Sequence, residues 1–118
     1  MRGLPDLEKS LFELIRRTST DLPADVEGRL RRAVARERKG SRAAWALNSM
    51  LENAALARAK DMPLCQDTGE LVFSFHIPIG FDVNALIAET RSAVSMATQR
   101  GYLRQNVLDS VTGVPYQT

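Results

Sequence analysis

Leu71-Val72-Phe73-Ser74-Phe75-His76-Ile77-Pro78 is the stretch on which the fold class turns. β-branched and aromatic residues fill it, Gly69 precedes it, and Pro78-Ile79-Gly80 closes it, so it reads as a strand. The alternation puts Val72, Ser74 and His76 on one face and Phe73, Phe75 and Ile77 on the other. His76 sits among apolar neighbours and reads as a core or half-buried histidine rather than a ligand. A second, short strand is expected around Val107-Leu108. With helices on either side of the 71–78 stretch, the expected fold is α+β, with N-terminal helices packed against a short β-sheet.

Working outward, the segment before the strand is a loop from Asp61 to Gly69, where Pro63 excludes a continued helix. Upstream lies an alanine-rich helix from about Arg42 to Lys60, with Ser41 as its cap. Its apolar stripe is Ala43, Ala46, Leu47, Met50, Leu51 and Ala54. Trp45 on this helix reads as packing at a domain or subunit contact. Further upstream, Val26, Leu30, Ala33 and Val34 line one face of a helix that starts near Pro23 and closes at Gly40. Leu7, Leu11, Leu14 and Ile15 line a first helix, with Pro5 suited to its opening turn. Thr18-Ser19-Thr20-Asp21 breaks that first pattern and offers caps for the next helix. Downstream of the strand, Asp82 caps a helix running to about Arg100, with Val83, Leu86, Ile87, Thr90, Val94 and Ala97 facing inward. Gly101 is its stop.

The chain has 118 residues, a length that fits one domain. A hydrophobic fraction of 44% and a charged fraction of 25% place it with soluble globular proteins. A net charge of +2 gives no bulk case for nucleic-acid binding. The arginines between Arg29 and Arg42 are interleaved with Glu37, follow Glu27 and lack stacking aromatics, so they read as a solvated helix face. A single cysteine rules out an internal disulfide and favours a reducing compartment. No signal peptide or membrane-length apolar run is expected, and the cytoplasm is the default location.

That cysteine lies in Pro63-Leu64-Cys65-Gln66-Asp67-Thr68-Gly69. A soft ligand, an amide, a carboxylate, a hydroxyl and a glycine are the parts of a metal-assisted site. The bland alternatives are a small buried cysteine beside an Asx turn, or a redox thiol. The motif resembles the first cluster-ligand segment of the iron–sulfur hydro-lyases, namely the class I fumarases and the alpha subunits of L-tartrate dehydratases. Leu30-Arg31-Arg32-Ala33 with Glu37, Met50-Leu51-Glu52-Asn53-Ala54, the 71–77 stretch and Tyr102-Leu103-Arg104-Gln105-Asn106-Val107 resemble the family's flanking elements. The likeness spans about residues 25–109, leaving 110–118 as a divergent tail on a single truncated domain of the hydro-lyase alpha type.

The resemblance implies a four-iron, four-sulfide (4Fe-4S) cluster held by three cysteines, with Cys65 the first. The open iron would act as a Lewis acid on the substrate. It implies that Gln66, Asp67 and Arg104 face a small dicarboxylate, with Arg104 as a bidentate clamp and Asp67 in proton transfer or water orientation. The family's other two cysteines lie further along than residue 118. Asp109-Ser110-Val111-Thr112-Gly113-Val114-Pro115 also departs from the family's Asp-Pro-Leu stretch and Asn-Thr-Gly motif. The implied function is a subunit or fragment of an enzyme that hydrates and dehydrates a fumarate- or tartrate-type acid, inactive alone. The implied partner is a complementary cysteine-bearing polypeptide or further copies of the chain. The alternative is a non-catalytic, degenerate relative serving as a helical protein-interaction module. A split subunit, a truncated frame and a degenerate relative all fit the sequence.

Overall fold

A computed structural model describes residues 6–64, 71–104 and 111–114. Its elements are α1 (Leu7–Thr20), α2 (Ala24–Arg36), α3 (Arg42–Lys60) and α4 (Val83–Gln99). The chain divides into two compact units, one of residues 1–16 and 66–118, the other of residues 17–65.

In the first unit, Leu11 and Ile15 of α1 join Ala93 and Ala97 of α4 and Tyr102 in one buried cluster. Leu7, Phe12, Phe73, Val94 and Leu103 pack around it. Both alanines have no exposed surface, so the larger side chains close over small ones and leave no room for a methyl more. Phe12 meets Tyr102 edge to face, with ring centroids 5.9 Å apart. The opening of α4 is set by Asp82, whose carboxylate accepts the Ala85 N–H at 3.0 Å. At its other end Gly101 takes φ 79°, the Gly101 N–H donates to the Thr98 carbonyl, and the Tyr102 N–H donates to the Ala97 carbonyl. That pair of bonds is a Schellman closure, and it turns Tyr102 back onto the cluster.

The expected sheet is not found among the described residues. Among the described residues there is no strand, and the α+β assignment gives way to a helical fold. The 71–78 stretch keeps part of the strand's logic, because the Phe73 and Phe75 rings stack with planes 6° apart on one side. Phe73 reaches the cluster, but Val72 is 87% exposed and Ile79 fully exposed. A strand needs a neighbour to take its backbone hydrogen bonds, and no described segment supplies one. The second strand, at Val107-Leu108, falls outside the described residues. His76 is exposed rather than half-buried.

In the second unit, α2 packs against α3. Ser41 caps α3 as expected, its Oγ accepting the Ala44 N–H at 3.1 Å. The buried residues of α3 are Ala44, Ala54 and Ala57, with Leu47 and Leu51 half-buried, while Met50 is 53% exposed. The stripe is therefore rotated from the expected one, which had Ala43 and Met50 on it. On α4 the inward set likewise loses Val83 and Ile87 to solvent and gains Ala93. Thr18-Ser19-Thr20 does not break α1 but forms its last turn. Ser19 and Thr20 are buried there, so tertiary packing overrides their preference for caps. The break comes at Pro23, which caps α2 without a side-chain bond. α2 ends at Arg36, and Gly40, at φ 79°, lies in the turn that follows.

Candidate functional site

Cys65, Gln66 and Asp67 lie outside the described residues, so the structure speaks to what leads into them. α3 ends with Asp61 in the left-handed conformation, φ 51°. The Met62 N–H returns to the Ala57 carbonyl at 2.9 Å. This closure reverses the chain, and Pro63 then bars any helical continuation. Leu64 donates its N–H to the Ser19 carbonyl at 2.8 Å, in the last turn of α1. The residue immediately before Cys65 is thus pinned to a helix end, and that carbonyl would otherwise lack a helical partner.

Sequence reasoning missed this anchor. One signal for it was present: Leu11, Ile15 and Ser19 are spaced four apart, so a polar residue falls on the buried stripe. Beside it Thr20 is 1% exposed, and its Oγ1 has no hydrogen-bond partner among the described residues.

Charges ring the same unit. Arg58 Nε donates to Asp21 Oδ1 at 2.9 Å, and its Nη2 donates to Glu27 Oε2 at 3.1 Å. Arg31 Nη2 donates to the other Glu27 oxygen at 2.6 Å. The Arg31 hydrogen bond, and then that of Arg58, hold the Glu27 carboxyl below its ordinary value. Arg31, one of the basic residues of α2, is therefore engaged in an ion pair.

Arg104 stands in the first unit, exposed, two residues beyond buried Tyr102. The Schellman closure of α4 fixes where the chain carrying it begins. No geometry among the described residues relates Arg104 to Cys65, Gln66 or Asp67. Elsewhere in the first unit, Asp6, Glu8, Lys9, Glu89 and Ser92 line a shallow groove. Lys9 pairs with Asp6 at 2.9 Å, and Ser92 donates to Glu8.

No group of three or more His, Cys, Asp or Glu side chains able to hold a metal ion occurs among the described residues. No helix among them is long and apolar enough to cross a membrane. Trp45 is 74% exposed, so its packing expected from sequence is not met within the described chain.

Comparison with known proteins gives a consistent result. The model of the family described as fumarate hydratase (Fumerase) matches residues 8–117. A Geobacillus stearothermophilus protein provisionally named fumarate hydratase class I is 39% identical over 107 residues, covering 91% of this chain and 21% of that protein. A Methanocaldococcus jannaschii protein provisionally named L(+)-tartrate dehydratase subunit alpha is 33% identical over 114 residues, covering 92% of this chain and 39% of that protein. The chain thus spans well under half the length of these two relatives.

Proposed function

The chain belongs to the fumarate hydratase (Fumerase) family, and we propose that it forms part of an iron–sulfur hydro-lyase that adds water to, or removes it from, a small dicarboxylic acid of the fumarate or tartrate type. The observation that carries this reading is the family match across residues 8–117, which includes Cys65-Gln66-Asp67-Thr68-Gly69. The pinned approach to that motif supports it, because a ligand must be presented at a fixed place.

A four-iron cluster with three cysteine ligands asks for more than these residues offer. The chain has one cysteine, and no described carboxylate or histidine group makes up the difference. These 118 residues do not fit the cluster by themselves, and no reaction step is drawn through it. In this proposal Cys65 supplies one thiolate, and the others come from outside these residues. Gln66 and Asp67 hold the substrate, and Asp67 orients water or takes a proton. Arg104 binds one carboxylate of the substrate through paired N–H donors, a geometry lysine would not reproduce.

A second reading draws on a separate observation. Trp45 in the second unit is 74% exposed, and Val72 and Ile79 in the first are 87% and fully exposed. A non-catalytic interaction module of this family would use such residues against a protein partner.

The deciding experiment is anaerobic isolation of the tagged chain from its native cells, with iron, sulfide and co-purifying polypeptides measured together. The enzyme reading expects iron and sulfide with a cysteine-bearing polypeptide, and fumarate or tartrate hydro-lyase activity that Cys65→Ser abolishes. Iron-free protein whose partner binding is unchanged in Cys65→Ser would replace it with the interaction module.

A further inference from the structure

Arg16 pairs with Glu13, Arg31 with Glu27, and Arg58 with Asp21 and Glu27. Arg29, Arg32 and Arg36 of α2 differ: all three are exposed, and none makes an ion pair or side-chain hydrogen bond among the described residues. They recur three and four apart, so they form one ridge along the helix, about 10 Å from first to last.

Like charges at that spacing repel, and the helix that carries them has little to spare. α2 buries no residue, and Pro23 caps it without a side-chain bond. Gly28 weakens it further, since glycine is a poor helix former. The space that Gly28 leaves open borders the ridge: a Cβ there would stand 3.5 Å from Arg32 Nη1. The Arg32 side chain thus lies back along the helix over the glycine. The helix dipole accounts for Arg36, in the last turn, but not for Arg29 or Arg32. Local choices that work against a helix without gain in packing are expected where its surface serves a partner.

The charge says which partner. Residues 17–65 hold ten Lys and Arg against six Asp and Glu, so the +2 of the whole chain understates this unit. Arg38 and Lys39, both exposed, carry the positive field into the turn after α2. Arginine forks match carboxylates in pairs of hydrogen bonds. A nucleic-acid strand fits less well. Asp25 heads the same line and Glu37 follows it, where each repels phosphate, and α2 has no aromatic side chain on which bases could stack.

We propose that the Arg29–Arg32–Arg36 ridge docks an acidic helix of a partner protein, whose carboxylates recur three and four residues apart on one face. The inference rests on neither reading of the function, because the ridge needs no cluster and does not involve Cys65.

The test titrates the full-length chain, by fluorescence anisotropy at low salt, against two labelled alanine–glutamine peptides of one composition and against an oligouridylate. Both peptides carry glutamates, set in one on a single helical face at the ridge spacing and in the other spread round the helix. The patterned peptide should bind about fivefold tighter than the spread one, and added salt should weaken it. Arg29→Glu/Arg32→Glu should weaken it about tenfold. Arg91→Glu, at an exposed position of α4 in the other unit, should leave it unchanged. Equal affinity for the two peptides, or binding of neither, would overturn the proposal. Tighter binding of the oligouridylate would overturn it in favour of a nucleic-acid strand. Should charge reversal unfold the protein, Arg29→Gln/Arg32→Gln removes the charges with a good helix former and is read the same way. A chain that binds no iron would sink the hydro-lyase reading and leave these affinities as they are.

Discussion

The two units solve the same problem by different means. In the first, Leu11, Ile15, Ala93, Ala97 and Tyr102 exclude water from a shared cluster. In the second, α2 buries no residue at all, and three small alanines are what α3 buries. Its polar reinforcement is the chain Asp21–Arg58–Glu27–Arg31. The first unit therefore owes its order to apolar burial, which is steep in free energy and indifferent to salt. The second, which carries the approach to Cys65, leans on helix termini, a backbone pin and solvated charges, each weak and adjustable. The unit that leads to Cys65 is the more softly held of the two.

The contrast is broken or sharpened first at Ile15. Ile15→Ala opens a cavity in the cluster and should cost ~2–5 kcal/mol in urea denaturation. A cost near that of any charge removal would erase the distinction. Next come the two helix closures. Gly101→Ala places a methyl in open space at φ 79°, so its whole cost is conformational, about 1–2 kcal/mol. Asp61 holds the equivalent left-handed position at the end of α3 without being glycine. Asp61→Gly should relieve that strain and raise stability by up to about 1 kcal/mol. An Asp61→Gly protein no more stable than the native one would mean the closure at the approach to Cys65 is not strained.

Much of this was legible in the sequence, and the boundary has a physical reason. Caps and stops are local chemistry, so Ser41, Asp82 and Gly101 mark α3 and α4 unaided. Which side of α3 is buried is set by what packs on it, and the stripe through Met50 was misplaced for that reason. The 71–78 stretch shows the same limit more sharply. Its alternation is real, as the stacked Phe73 and Phe75 show, but a strand exists only with a partner, and composition does not reveal one. The Cys65 motif was readable because consecutive residues carry it. The Ser19–Leu64 pin was not, because it joins residues far apart in sequence through backbone atoms that every residue has.

The smallest expected effect sharpens the comparison most selectively. Glu27 is held below its ordinary carboxyl value of 4.5, chiefly by the Arg31 hydrogen bond and then by Arg58. A carboxyl depressed in the folded state is deprotonated there while the unfolded chain still binds the proton. Its contribution is therefore complete above the unfolded value and fades as pH falls through the lower folded one. Stability measured by urea denaturation from roughly pH 5 to 3 should decline more steeply in the native protein than in Arg31→Ala, where Glu27 titrates closer to its ordinary value. Because the pairs face solvent, the Arg31→Ala destabilisation at pH 7 should be small and should shrink as salt is added. Ile15→Ala should show neither dependence. If salt and pH left Arg31→Ala as unchanged as Ile15→Ala, the charges around α2 would be ornamental, and its place against α3 would have to come from the few alanines and the half-buried Leu30, Leu47 and Leu51.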